Sequence, residues 1–480
     1  MPYNNLGQFI SRLEELGELF RVAVEVDPAL EITEIADRMS KTGGPALLFE
    51  NVKGSPHPLL INAFGSFRRM ELALECESFD EIGARLESLI KTQPPAGVMD
   101  KLRMLFTLKE LAGFMPKKIK KAPCQERVLA GGPMLDALPI LTCWPHDGGP
   151  FITLPIVITR DPDSKTQNYG MYRMQKFDGL STGMHWQYNK DGARHYRKYK
   201  ERGLRMEVAV ALGGPPAVTY AATAPLPPDI DEMLFAGWLR SAPVELVKAK
   251  TLDLMVPAES DFVLEGYIDP GDERIEGPFG DHTGFYSPAD VYPIFRITCI
   301  TSRRDAIYPA TIVGKPPMED CYMAKATERI FLPLMRLIAP EIVDIELPLE
   351  GVFHNCALVS IKKEYAGQAR KVIHALWGMG QMASTKFIAV FDHDIDLRDY
   401  STVLWKLLNN VDPGRDLVLS GGPLDALDHS ASYANYGGKM GVDATRKTRE
   451  EGMGRDWPDE IRMSDEVKKR VSERWKEYGF

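Results

Sequence analysis

The chain is poor in several things, and each shortage excludes something. Its 480 residues hold only six cysteines: Cys76, Cys124, Cys143, Cys299, Cys321 and Cys356. No two form a C-x-x-C pair, so neither a zinc knuckle nor a dithiol redox motif is present. Their scatter suits a reducing cytosol, although an even count leaves disulfides open. No apolar run approaches the ~20 residues that span a bilayer. The nearest, Arg329 to Arg336, is charged at both ends and contains Pro333. Met1-Pro-Tyr-Asn-Asn lacks the basic start and apolar core of a secretory signal. A cytoplasmic protein without a transmembrane segment is therefore expected. Positive charge is also short: the net charge is −9, and no basic block stands out. That argues against nucleic acid as a partner. There is no internal repeat and no low-complexity segment.

What is present is ordinary globular material, 44% hydrophobic and 26% charged, in a chain long enough for two or three domains. Leu6, Phe9, Ile10, Leu13, Leu16 and Leu19 recur at helical spacing, so an amphipathic helix is expected over them. A helix from Ile32 to Met39, a strand from Ala46 to Phe49, and helical periodicity over 70–90 and 102–111 complete a small α/β region. Lys117 to Lys121, with four lysines among five residues, reads as an exposed linker or solvated face, and a phosphate site is the lesser reading. The middle is β-rich. Strands are expected at 151–159, 169–176, 207–212, 217–222, 262–268, 294–302 and 308–313, with one helix at about 230–240. After Pro316-Pro317 a long helix, 320–337, is expected to bend at Pro333. Then strand and helix alternate: 357–362, 368–377, 387–391 and 397–408. The tail from Arg446 onward is highly charged and peripheral.

Three stretches could carry chemistry. In Glu276-Gly-Pro-Phe-Gly-Asp281, glycines and a proline form a stiff bend that could aim two carboxylates into one cavity. Acids held close push their pKa values apart, which is how one of the two becomes a proton donor near neutral pH. An acidic surface loop is the plain alternative. In Asn168-Tyr-Gly-Met-Tyr-Arg173, strand alternation would put Met171 and Arg173 on one face and Tyr172 on the other. A buried Arg173 would need an acid partner, and Glu276 is a candidate; a surface strand arginine is the alternative. His185-Trp186-Gln187, with Lys190 and Asp191, is rich in rings and donors and could line a planar cofactor. Asp229 with Glu232 resembles a capping box; the sharper role for Glu232 is as an oxygen ligand to Mg²⁺ or Mn²⁺, shared with Asn168.

The order and number of these motifs resemble the UbiD-type decarboxylases over nearly the whole chain. The likeness runs through Gly43-Gly-Pro-Ala-Leu-Leu-Phe-Glu-Asn51, Thr142-Cys-Trp-Pro145, Asn168-x-Gly-Met-Tyr-Arg173, Glu265-Gly-Tyr267, Glu276-Gly-Pro-Phe-Gly-Asp-His-Thr-Gly284 and Gly438-Lys-Met-Gly441.

It implies a multidomain α+β and α/β fold. An N-terminal α/β domain (1–115) would precede a central split β-barrel flavin-binding domain (116–316). A linking helix (317–340) and a C-terminal α/β oligomerisation domain (341–480) would follow. It implies prenylated FMN as cofactor, with Mn²⁺ or Mg²⁺ and K⁺ as a further candidate. It implies reversible non-oxidative decarboxylation of an aromatic or α,β-unsaturated acid. One such acid is a 3-polyprenyl-4-hydroxybenzoate of ubiquinone or menaquinone synthesis, which would bring peripheral membrane contact. A flavin prenyltransferase would supply the cofactor, and the chain would form a homo-oligomer, dimer to hexamer.

The likeness places Arg173, Glu276 and Asp281 as the catalytic network, with Asp281 in the position of the proton donor. Asn168, Met171, Tyr172, Arg173, His185, Trp186, Gln187, Lys190 and Asp191 hold the cofactor, with Lys386 as a phosphate contact. Asn168 and Glu232 hold the metal. Asn189 stands where many members have a histidine ligand; His185 is its alternative. An FMN oxidoreductase on the same barrel, or a non-catalytic metal-tied assembly protein, are the competing readings.

Overall fold

The computed structural model describes residues 2–91, 109, 111–187, 190–227 and 230–480. The helix expected at 102–111 therefore lies almost wholly outside the described residues. The first helix, Leu6–Glu15, buries Leu6, Phe9, Ile10 and Leu13, and Asn5 caps it by accepting from the Gln8 N–H. It stops short of Leu19. Gly17 takes φ +72°, a turn glycine can make cheaply, and Leu19 opens a strand instead. That strand, Leu19–Val26, runs parallel to Ala46–Val52, with the helix Glu31–Thr42 crossing between them. Leu59–Ile61 and Tyr308–Pro309 complete a four-stranded sheet. The helical periodicity of 70–90 resolves into two helices, Phe67–Leu74 and Phe79–Ile90. Ser66 and Ser78 each cap one by accepting a backbone N–H.

The middle is built on antiparallel strands. The central sheet runs Ser181–Gly183, Asp290–Ser302, Phe262–Ile268, Met206–Leu212, Ile156–Arg160 and Gln167–Met171 in spatial order. Glu273–Glu276 and Arg127–Leu129 also pair with the long strand Asp290–Ser302. The sheet is open: among the described residues its first and last strands do not pair. Phe262, Phe295, Val210 and Leu264 fill one of its faces, fully buried.

Several expectations fail here for local reasons. Residues 217–222 are not a strand. Pro215 and Pro216 preset the backbone for a helix start, and Pro216–Ala221 is helical. Lys117 to Lys121 is a solvated edge rather than a linker: Lys117–Ile119 pairs parallel with Glu245–Lys248, with Lys117 and Lys118 exposed, and lysine there blunts further pairing. Pro155 splits 151–159 into Phe151–Ile152 and Ile156–Arg160. The run 169–176 is split too, into Gln167–Met171 and Met174–Gln175, so Tyr172 and Arg173 sit in the break.

The helix Glu319–Ile338 carries Pro333 inside it and leads to a five-stranded sheet. Its order is Ile342–Glu346, Cys356–Ile361, Phe387–Asp392, Tyr436–Asp443 and Leu417–Pro423. The helix Gln368–Trp377 packs on it, and Tyr400–Asn410 closes the alternation. All six cysteines are unpaired. No helix among the described residues is long and apolar enough to cross a membrane.

Candidate active site

The connector after Glu276 folds as the glycines allow. Gly277 takes φ +93°, which a side chain would resist. Phe279–Gly280 then pairs with Tyr286–Ser287. Asp147 pins the bend by accepting the Gly280 N–H at 2.8 Å and the Trp144 N–H at 2.9 Å. Glu276 ends its own short strand, and both acids are buried.

Both acids reach Arg173, which lies 103 and 108 residues earlier in the chain. Arg173 Nη1 donates to Asp281 Oδ2 in a close ion pair, and Nε donates to Glu276 Oε1 at 3.4 Å. Its Nη2 donates to Ser287 Oγ at 3.1 Å. The guanidinium also lies over the Phe279 ring, 4.7 Å from its centre, a cation–π contact strengthened by the dry surroundings. On the other side of Glu276, His185 Nδ1 lies 2.9 Å from Oε1, and Tyr292 stacks on the His185 ring. Glu276 Oε2 is buried without a hydrogen-bond partner. A Cβ at Gly183 would sit 2.5 Å from it, so the strand beneath must be bare at that point.

The charge state of Asp281 reverses the expectation. Burial, the largest influence, would raise its pKa as a proton donor needs. The His282 hydrogen bond and the Arg173 charge together outweigh burial and hold the carboxyl well below the usual range. His282 moves the other way: burial lowers its pKa, but bonding and attraction to Asp281 raise it further. In the ligand-free chain Asp281 is an ion, not an acid.

A second cluster lines the same cavity, which has a volume of about 510 Å³, within the range of cofactor-sized sites. Asp231, not Asp229, caps the helix Glu232–Leu239; it accepts the Met233 and Leu234 N–H groups. Asp229 lies outside the described residues. The expected capping box is thus replaced, and Glu232 is left as the first helical residue. Its carboxylate turns to the cavity and accepts the Tyr169 N–H at 3.2 Å. Burial pushes its pKa up to about 8. Asn168 Nδ2, also buried, has no partner, and a half-turn of the amide would place its oxygen there instead.

Met171, Tyr172 and Arg173 all line this cavity. The strand ends at Met171; Met171 packs against one hydrophobic cluster and Tyr172 lies in another. His185, Gln187, Lys190 and Asp191 line it as well, and burial lowers the Lys190 pKa. Trp186 does not line it; it packs on Tyr196, ring centroids 5.2 Å apart. Lys386 is not brought there either. Its ammonium donates to Asp428 Oδ2 and Ser430 Oγ, each at 2.8 Å, so those groups take the charge expected to meet a phosphate. Asn189 lies outside the described residues. His185, the alternative third ligand, is engaged with Glu276.

Sequence reasoning gave no role to Phe279, Ser287, Tyr292, His282 or Phe353. His282 and Phe279 stand inside the run that drew notice, next to the acids, so adjacency was a usable signal. Phe353, stacked on His282 at 5.1 Å, comes from 71 residues later and left no local signal.

The family model described as 3-octaprenyl-4-hydroxybenzoate carboxy-lyase N-terminal domain matches residues 10–86. The Rift-related domain of the same description matches 117–316, and the C-terminal domain matches 321–444. An uncharacterized protein of Archaeoglobus fulgidus is 53% identical over 479 residues, covering 99% of each chain. One from Aquifex aeolicus is 50% identical over 481 residues, covering 100% of this chain and 99% of that one. Among solved structures, vanillic acid decarboxylase from Sedimentibacter hydroxybenzoicus in closed form superposes with TM-score 0.86. It is 28% identical, with 99% of this chain and 100% of that one covered. The UbiD-class enzyme HmfF from Pelotomaculum thermopropionicum, in complex with FMN, gives TM-score 0.80 at 29% identity, with 98% and 99% covered. An evolved dimeric form of HmfF in complex with prFMN gives TM-score 0.80 at 28%, with 98% and 99% covered.

Proposed function

The chain belongs to the UbiD family of carboxy-lyases, and from that premise we propose that it removes CO₂ reversibly from a flat aromatic or α,β-unsaturated acid, with prenylated FMN as cofactor. The observation that carries this reading is the convergence of Arg173, Glu276 and Asp281 on one cavity wall.

The residues present fit the cofactor. A partnerless buried amide at Asn168 and a buried carboxyl at Glu232 face a cavity rather than each other's hydrogen-bond partners. They would hold Mn²⁺ or Mg²⁺ against the cofactor phosphate. Gln187, Lys190 and Asp191 would hold its polar edges, and Met171 and Tyr172 its ring. When bound, the prenylated flavin supplies the electron sink that an sp² carbon needs to lose CO₂.

The chain's own residues do the rest. Arg173 presents a planar fork suited to a carboxylate, and Glu276 and Ser287 hold that fork in place. Phe279 and Phe353 at the cavity wall favour a flat substrate ring. When the substrate carboxylate takes the guanidinium, Asp281 shares it. Burial then carries more weight on Asp281, and its pKa rises toward that of a proton donor for the product carbon. A flavin prenyltransferase as supplier, a homo-oligomeric state and a quinone-precursor substrate belong to the same reading.

The test is co-expression with a flavin prenyltransferase, mass spectrometry of the bound flavin, and CO₂ release from a panel of aromatic acids. Asp281→Asn and Glu276→Gln in the loaded enzyme should each cut CO₂ release about 10²- to 10⁴-fold. Plain FMN that bleaches with a reductant during turnover would point to an oxidoreductase. Full activity in both variants would end the assignment of roles.

A further inference from the structure

Behind Asp281 lies a cluster that the proposed chemistry does not use. His282, His354 and Asp425 each bring a ligand atom within 4.8 Å of the others. They come from three separate places: the connector after Asp281, the turn after Leu349–Gly351, and the loop after the strand Leu417–Pro423.

The hydrogen bonding fixes which nitrogens face inward. His282 Nδ1 lies 2.9 Å from Asp281 Oδ1. The carboxylate, ion-paired to Arg173, accepts, so Nδ1 carries the hydrogen. Nε2 is buried and has no hydrogen-bond partner, and its lone pair is open to a cation in place of a proton. His354 repeats the arrangement. The Val352 carbonyl engages its ring, and its Nε2 is also buried without a partner. The two rings meet at 63° with centroids 5.1 Å apart. Two desolvated lone pairs in one small volume are costly to leave unmet, and a cation meets both. Asp425 Oδ1 accepts the Leu427 N–H at 2.9 Å, which orients the carboxylate and leaves Oδ2 to bind. A ring N–H held by a carboxylate or a carbonyl is the outer support that metal-binding histidines commonly have.

We infer that His282, His354 and Asp425 form a site for a first-row divalent transition ion, separate from the Asn168–Glu232 cluster. Two imidazoles and one carboxylate suit Zn²⁺, Fe²⁺ or Co²⁺ rather than Mg²⁺ or Ca²⁺. Bonds of about 2.0–2.2 Å draw the three donors slightly closer and leave a position for water. The ion ties the connector that carries Asp281 to two loops of the C-terminal sheet, and it fixes the His282 ring with its Nδ1–H toward Asp281.

The test uses the full chain, stripped with a chelator and titrated with Co²⁺ alone. One equivalent per chain should bind with visible ligand-field absorption. His354→Gln and Asp425→Asn should each weaken that absorption titration about 100-fold or more, whereas Glu232→Gln should leave it in place. X-ray absorption of the cobalt-loaded wild type should count two imidazoles, a readout that needs no variant to fold. Failure of the wild type to bind Co²⁺ would mean that a shared proton occupies the gap. Loss of the absorption in Glu232→Gln with retention in His354→Gln would place the ion elsewhere. Either result overturns the site.

Discussion

Two buried acids line one cavity and live under opposite rules. Asp281 has two partners, the Arg173 guanidinium and the His282 ring, and its carboxyl is held well below the usual range. Glu232 has a backbone N–H and no cation, and burial pushes its pKa up to about 8. In the first cluster both carboxylates meet the Arg173 guanidinium, although Glu276 Oε2 is left without a hydrogen-bond partner. The second has a buried carboxyl with no ion pair among the described residues and a partnerless amide at Asn168. A charge-paired cluster is preorganised for charge that develops during reaction, and an unpaired one is stabilised by what binds to it. Under the proposed function the first would belong to the reacting part of the cavity and the second to the part that anchors a ligand.

The sharpest way to break that contrast is at the shared arginine. Arg173→Lys keeps the charge but loses the fork that bonds Asp281, Glu276 and Ser287 together. CO₂ release by cofactor-loaded enzyme should fall about a thousandfold, with the bound flavin unchanged. Loss of flavin along with activity would mean that the two clusters are one. Next in size is Glu232→Gln. Flavin and metal retained through gel filtration should fall about 10- to 100-fold. The melting temperature of cofactor-free protein should hold steady near pH 7, because a neutral amide replaces a largely protonated carboxyl. A large melting shift without cofactor would show that Glu232 is ionised by a partner inside the chain.

The acid-rich half of this contrast was legible in the sequence because it is local. Glu276 and Asp281 stand five residues apart around turn glycines, and that spacing leaves convergence and an acidic surface loop as the two readings. Arg173 was placed by likeness to a family, since nothing local ties it to acids more than 100 residues away. Alternation assumes an unbroken strand, yet the ladder ends at Met171 and resumes only at Met174. Residues 217–222 misled for a related reason: Val218, Thr219 and Tyr220 favour strands, but two prolines set the local backbone first. Lys386 was carried over by position, and only the fold shows Asp428 and Ser430 already meeting it. His354 and Asp425 had no local signature at all. Their meaning arises from the approach of the C-terminal loops to His282, a tertiary fact that periodicity does not encode.

An acid outside the cavity sharpens the comparison with the smallest effect at neutral pH. Asp261 is fully enclosed and accepts the Gly214 and Ile307 N–H groups, each at 3.1 Å. Burial outweighs those donors and the nearby Arg303, and pushes its pKa up to about 7 from an ordinary 3.8. The folded value is therefore above the unfolded one. The stability linked to its proton is fully present below pH 3.8 and is lost as pH rises toward 7. Asp261→Asn removes that loss, but its single oxygen strands one backbone donor, at a cost of about 1–3 kcal/mol. The variant should thus be less stable than wild type near pH 4, and the difference should close and then reverse sign by pH 7. Denaturant melts of both proteins across that range would show it. A gap independent of pH would mean that Asp261 is already ionised in the fold. Burial without a direct ion pair would then not be enough to protonate an acid here, and the raised pKa of Glu232 would need a different cause.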